Sequence, residues 1–162
     1  MKTIVSITTA AAILAGGSLA SVHAQTKAHV LQTPAEVTWG PAPPFVPAGA
    51  QIAVMTGDPG KPAPYSLRFK LPANYAIPAH SHPMDENVVI VSGGLTFGMG
   101  DKLMKGAGTK TLGVGGYALM PAGMNHFAYT TTRETVVILY GTGPVDFKYV
   151  NPADDPRNAT KK

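Results

Sequence analysis

Residues 79–93 read Ala79-His80-Ser81-His82-Pro83-Met84-Asp85-Glu86-Asn87-Val88-Val89-Ile90-Val91-Ser92-Gly93. Two histidines alternate with a serine, a glutamate follows the second by four positions, and an apolar run then closes on Gly93-Gly94. Side chains at i and i+2 of an extended segment share a face. His80, His82 and Glu86 therefore have one parity as long as no bulge intervenes. Two imidazoles and a carboxylate on one face form a donor set suited to a borderline divalent metal. Asp85 has the opposite parity and is expected to face solvent or to hold a turn by a hydrogen bond. A fourth candidate ligand is His126, in Met120-Pro121-Ala122-Gly123-Met124-Asn125-His126. Pro121-Ala122-Gly123 is turn chemistry, placed to return His126 towards the first stretch. A lone histidine on an apolar face is more often structural than metal-bound. Here three of the chain's five histidines fall in these two stretches.

Working outward, the chain is punctuated at short, regular intervals. Gln51–Met55 reads as a strand, and Gly57-Asp58-Pro59-Gly60 as a turn. Tyr65–Leu71 alternates apolar and polar residues, the period of a half-buried strand. Further strands are predicted at Ala76–His82, Asn87–Ser92, Leu95–Met99, Thr109–Leu112, Gly116–Met120, Asn125–Thr130, Glu134–Tyr140 and Val145–Val150. Residues 101–108 are ambiguous, with one helical turn expected at Asp101–Lys105. Many short strands with 18 glycines and 15 prolines predict an all-β antiparallel sandwich or barrel. Composition and spacing go no further.

The two histidine stretches resemble the paired sequence motifs of the cupin family. His80, His82, Glu86 and Gly93 fit the first motif, with Asn74 where the family has a leading glycine. Gly115, Pro121, Gly123 and His126 fit the second, with Thr130 in place of its final asparagine. The resemblance covers about residues 74–130 and fills every metal-ligand position of the family. It implies a cupin double-stranded β-helix, a jelly-roll barrel. It also implies one divalent transition metal (Fe, Mn, Ni, Zn, Co or Cu) on His80, His82, Glu86 and His126. Gly57-Asp58-Pro59 and the segment Tyr149–Pro156 look like those of exported, single-domain bacterial cupins (monocupins). Six-coordinate binding would leave about two positions open for water, substrate or dioxygen.

The flanks and bulk properties bound the rest. Met1-Lys2, an apolar stretch to Ala20 and small residues around Val22-His23-Ala24 follow the plan of a secretory signal peptide over 1–24. Cleavage after Ala24 and a periplasmic or secreted protein are therefore expected, with no membrane association after cleavage. A Pro-rich arm over 25–49 follows, in which Trp39 and Phe45 are the expected anchors. The barrel is expected over 50–150, and a mobile C-terminal tail over 151–162. The formal net charge is only +4, and the lysines form no basic stripe, so no nucleic-acid partner is expected. With no cysteine, there is no disulfide framework. Methionines 84, 99, 120 and 124 are candidates for lining the interior, although packing is the commoner role of this gap-filling side chain.

Two function classes remain open at this point. One is a metal-dependent enzyme on a small molecule, an oxygenase, isomerase or lyase. The other is a non-catalytic module that binds metal or a small ligand. Catalytic partners are poorly defined: Tyr75, Tyr117, Arg68 and Asn125 are polar candidates whose structural roles are as ordinary. The partner expected in either case is a small molecule, and a homodimer is compatible with the sequence. A packed interior would favour the binding module, and an open pocket beside the metal the enzyme.

Overall fold

The computed structural model describes residues 29–159; the stretch 1–24, expected to be a signal peptide, lies outside the described residues. Eleven strands run through it: β1 (Gly40–Pro41), β2 (Gln51–Thr56), β3 (Pro64–Leu71), β4 (Ala76–Ser81), β5 (Glu86–Ser92), β6 (Leu95–Met99), β7 (Thr109–Leu112), β8 (Tyr117–Met120), β9 (His126–Thr130), β10 (Thr135–Thr142) and β11 (Lys148–Tyr149). They form two antiparallel sheets, ordered β1-β2-β3-β10-β5-β8 and β11-β4-β9-β6-β7. From β3 onward the chain changes sheet at almost every connection. That alternation is the jelly-roll plan, and it places the core between the two sheets.

Burial follows the period of two. In β3, Tyr65, Leu67, Phe69 and Leu71 are buried while the residues between them are not. Leu71, Phe69 and Leu67 lie opposite Thr135, Val137 and Leu139 of β10. Val88 and Ile90 of β5, Leu95 and Phe97 of β6, and Ala128 of β9 close the same cluster. Each large apolar side chain taken from water here contributes roughly 1.5–3 kcal/mol.

One irregularity positions the site. Ile77 pairs with Ala128 and His80 with His126, so β4 spends three residues where β9 spends two. This β-bulge shifts the parity of β4 between those pairs. Ile77 thus faces the core, and so do His80 and His82 beyond it. The shared parity expected for His80 and His82 survives because the bulge precedes both, but Glu86 does not share their strand face, since bends at Pro83-Met84 carry it into the facing sheet.

The Pro-rich arm lies along the barrel. Pro34–Glu36 make one 3-10 turn closed by a Thr33–Glu36 capping box, and β1 pairs with β2. Val46 is buried, Phe45 packs on Phe147 at 5.3 Å between ring centroids, and the Lys70 ammonium sits 4.1 Å above the Trp39 ring.

Three local expectations change. Residues 101–105 form bends and no helix, since Gly100 and Gly106 bracket them with positive φ and interrupt helical geometry. The strand expected over Val145–Val150 shrinks to Lys148–Tyr149, because the residues before it are bonded by side chains. The tail expected to be mobile carries a 3-10 turn at Pro152–Asp154 and a helical turn α1 (Pro156–Ala159), tied down by Arg157. Lys161 and Lys162 lie outside the described residues.

Candidate metal centre

His80 and His126 are register partners on neighbouring strands β4 and β9. His82 follows β4 directly, and Glu86 opens β5 in the facing sheet. The four residues named from the sequence thus meet at one end of the barrel, three from one sheet's side and one from the other's. All are buried: His80 2 %, His126 2 %, His82 4 % and Glu86 8 % exposed. One ligand atom from each histidine lies within 4.8 Å of the others. Neighbouring ligands at ~2.1 Å from one metal stand about 3.0–3.6 Å apart, so binding would draw the imidazoles closer together.

Backbone carbonyls fix the imidazoles. His80 Nδ1 is 2.7 Å from Pro78 O, His82 Nδ1 3.1 Å from Asp146 O, and His126 Nδ1 3.0 Å from Met124 O. A carbonyl only accepts, so each Nδ1 carries the proton and each Nε2 presents a lone pair in the neutral ring. Metal-ligating histidines are oriented in this manner in known sites. The His82 Nε2 atom is buried without a hydrogen-bond partner. It lies 3.3 Å from Glu86 Oε2, close enough for an ion pair but without hydrogen-bond alignment. Without an ion, the Glu86 carboxylate is its electrostatic partner.

The electrostatics divide the four groups. Burial pushes His80 down to about 3, helped by the neighbouring His126 and His82. Burial also lowers His126. For His82 burial opposes the charged form, but the Glu86 carboxylate outweighs it and raises the pKa. For Glu86 burial favours the neutral acid, and His82 outweighs that and holds the carboxyl low. The metal-free site therefore balances as a Glu86 carboxylate against a His82 imidazolium, with two neutral imidazoles beside them. A divalent ion would replace the His82 proton and meet a donor set of neutral nitrogen and anionic oxygen, which fits a first-row transition metal.

Space around the cluster is small. Behind His80, Glu86 and His126 lies a cavity of ≈ 30 Å³ walled by apolar side chains such as Phe69, Val88, Phe97 and Leu139, room for about two waters. On the other side a narrow cleft of ≈ 10 Å³ reaches His82 and Glu86 between Tyr65, Met84, Thr142 and Pro144. Wider hollows on the surface, such as that lined by Met84, Asn87 and Thr142, do not include the histidines.

Most of the remaining polar candidates have structural partners. Asp85 Oδ1 accepts from Ala122 N at 2.8 Å, joining the two ligand-bearing loops. Tyr117 donates to Asn87 Oδ1 at 2.7 Å, Asn125 donates to Asp101 Oδ1 at 2.7 Å, and the Tyr75 hydroxyl donates to Pro47 O. Arg68 alternates with the inward residues of β3, on its outer face, and its Nε is buried without a hydrogen-bond partner. Met120 alone of the four methionines is in the core; Met84, Met99 and Met124 are exposed. Sequence reasoning missed Phe147, whose ring stacks on His80 at 4.2 Å and 19°, and the carbonyls of Pro78, Met124 and Asp146. Backbone acceptors have no sequence signature, and Phe147 resembled any other strand aromatic.

The model of the ChrR cupin-like domain family matches residues 27–146 of the chain. Among solved structures, the polyketide cyclase RemF from Streptomyces resistomycificus is similar at 17 % identity and a TM-score of 0.61, over 85 % of this chain and 93 % of that one. An RmlC-like cupin from Shewanella frigidimarina aligns at 11 % identity and 0.54, over 71 % and 91 %. KdgF from Halomonas sp. aligns at 16 % identity and 0.53, over 79 % and 98 %. At such identities the likeness is one of fold. No curated protein matches the chain.

Proposed function

The chain belongs to the ChrR cupin-like domain family, and on that premise we propose that it is a metal-binding cupin of the exported compartment. One divalent transition metal is held by His80, His82, Glu86 and His126. The observation that carries this reading is the set of three buried imidazoles, each with Nδ1 turned to a backbone carbonyl and with one ligand atom from each within 4.8 Å of the others. Bound there, such a metal supplies Lewis acidity and open positions for a small ligand. The protein's own residues orient the imidazoles, supply one negative charge and exclude bulk water. The packed interior supports a module that binds metal together with water or a ligand of comparable size. The expected test is metal analysis of exported protein: about one equivalent in the wild type, and little in His82→Ala. Retention of full occupancy by folded His82→Ala would end this reading.

A second reading is a metal-dependent enzyme on a small molecule, an oxygenase, isomerase or lyase. The cleft that reaches His82 and Glu86 past Met84 and Thr142 favours it, since it gives the metal a path to solvent. Turnover of an organic substrate needs that cleft to widen. Substrate-dependent oxygen uptake or product formation by metal-loaded protein, lost in His82→Ala, would support it. Export rests on the sequence of 1–24, and N-terminal sequencing should find Gln25 or a near neighbour first.

A further inference from the structure

Segment 145–150 crosses the metal end of the barrel and supplies two parts of the site. The Asp146 carbonyl accepts from His82 Nδ1, and the Phe147 ring stacks on His80 and meets His82 edge-on at 4.9 Å. Strand pairing with β4 begins only at Lys148. Ahead of it, the backbone of Phe147 is bonded by side chains: its N–H donates to Asp146 Oδ1 at 2.9 Å, and its carbonyl accepts from Arg157 Nη2 at 2.9 Å. Arg157 Nη1 also donates to Asp146 Oδ1 at 2.9 Å. The guanidinium is itself held by Asp155, through Nε at 2.8 Å and Nη2 at 2.8 Å, and lies 5.9 Å from the Phe45 ring centroid. Its planar fork thus grips both Asp146 and Phe147, and it comes from the C-terminal turn, outside both histidine stretches.

We infer that Arg157 is a positioning residue of the metal centre, which sets the His82 and His80 rings by clamping Asp146 and Phe147. This rests on the proposed metal reading. Removing the clamp frees the Phe147 carbonyl and lets the Asp146 carbonyl turn from His82 Nδ1. The lone pair at Nε2 then loses its fixed direction. Outer contacts to ligating histidines commonly change affinity by about 10–100-fold, and the lower end fits a contact made through a backbone carbonyl. Lysine supplies a point charge in place of a fork, so it can hold Asp146 but not both partners.

The test titrates cobalt(II) into metal-free full chain, with a chelator in competition, for the wild type, Arg157→Lys and Arg157→Ala. The visible spectrum of the cobalt-loaded protein and the thermal midpoint of the metal-free protein are recorded in parallel. Expected are a loss of affinity of about tenfold in Arg157→Ala, an intermediate value in Arg157→Lys, and an altered cobalt spectrum in Arg157→Ala. A purely structural role would lower the metal-free midpoint while leaving affinity and spectrum at wild-type values, and that result would overturn the inference. If Arg157→Ala fails to fold, Arg157→Lys decides alone: wild-type affinity and spectrum in it overturn the inference. A wild type that binds no cobalt would bring down the metal reading and this inference together. Wild-type binding unchanged in both variants would remove only this one.

Discussion

Asn74 and Thr130 stand where the family motifs have glycine and asparagine, and the structure shows them to be two ends of one latch. Among the described residues, Asn74 is the non-glycine residue with positive φ, at 55°, a conformation asparagine tolerates better than other side chains. Its N–H donates to Thr131 O at 2.7 Å. Thr130 Oγ1 accepts from Tyr75 N at 2.8 Å and donates to Pro72 O at 2.6 Å. Thr130→Val keeps the volume and removes both bonds, leaving a buried N–H unpaired; it should lower unfolding stability by about 1–3 kcal/mol. Asn74→Gly should be near neutral, because glycine adopts this φ freely. Denaturant midpoints for the two variants check the contrast. The four candidate ligands are titratable too. His80 falls from 6.5 to about 3 on folding, so between those values the unfolded chain binds a proton that the folded chain refuses. The metal-free protein should therefore lose stability as pH falls through that window. The lowered His126 acts in the same sense, and Glu86 adds to it below its ordinary 4.5. His82, raised, adds nothing to the slope in that window: its contribution is complete below 6.5 and is lost as pH rises from there through its folded value. The three lowered groups predict a thermal midpoint that drops from about pH 6 to about pH 4; a flat profile would contradict the assigned burial.

At the scale of elements, strand existence was legible because alternation and glycine–proline punctuation are local signals. Tyr65–Leu71 and Leu95–Met99 occur almost as read. Long-range effects were not legible. The bulge in β4 comes from its pairing with β9, and β11 is short because side chains bond the residues before it. Gly93 illustrates a glycine that both local and distant constraints require: φ is 73°, and an added Cβ would meet Glu134 O at 2.4 Å. Gly98 has no such φ, yet a Cβ there would stand 2.1 Å from Phe127 Cζ, its partner across the β6–β9 ladder. Gly98→Ala must displace a fully buried ring, and overpacking of this kind costs about 1–3 kcal/mol. Phe127→Leu in the Gly98→Ala background should recover part of the loss, measured by chemical denaturation. No recovery would mean that the glycine serves something other than the ring.

At the scale of the whole molecule, the candidate site was the most legible part of the chain, because its side chains are few and chemically distinct. His80, His82 and His126 form one cluster, with Glu86 beside His82. What the sequence could not convey is how closely the barrel is filled around them, or that a C-terminal arginine reaches the segment behind His82. His29 provides the control: it lies outside both histidine stretches, so His29→Ala should keep wild-type metal affinity. Glu86→Gln should weaken binding less than His82→Ala, since the amide oxygen still donates while the charge is lost.

The most direct measurement is anomalous X-ray scattering at the absorption edge of the bound metal, from crystals of protein purified from its native compartment. One peak is expected per chain, about 2.0–2.2 Å from Nε2 of His80, His82 and His126, with a Glu86 oxygen at a similar distance. No peak at that point in protein shown to contain metal, or a peak elsewhere with Nε2 of His82 hydrogen-bonded to a protein group, would contradict the metal centre.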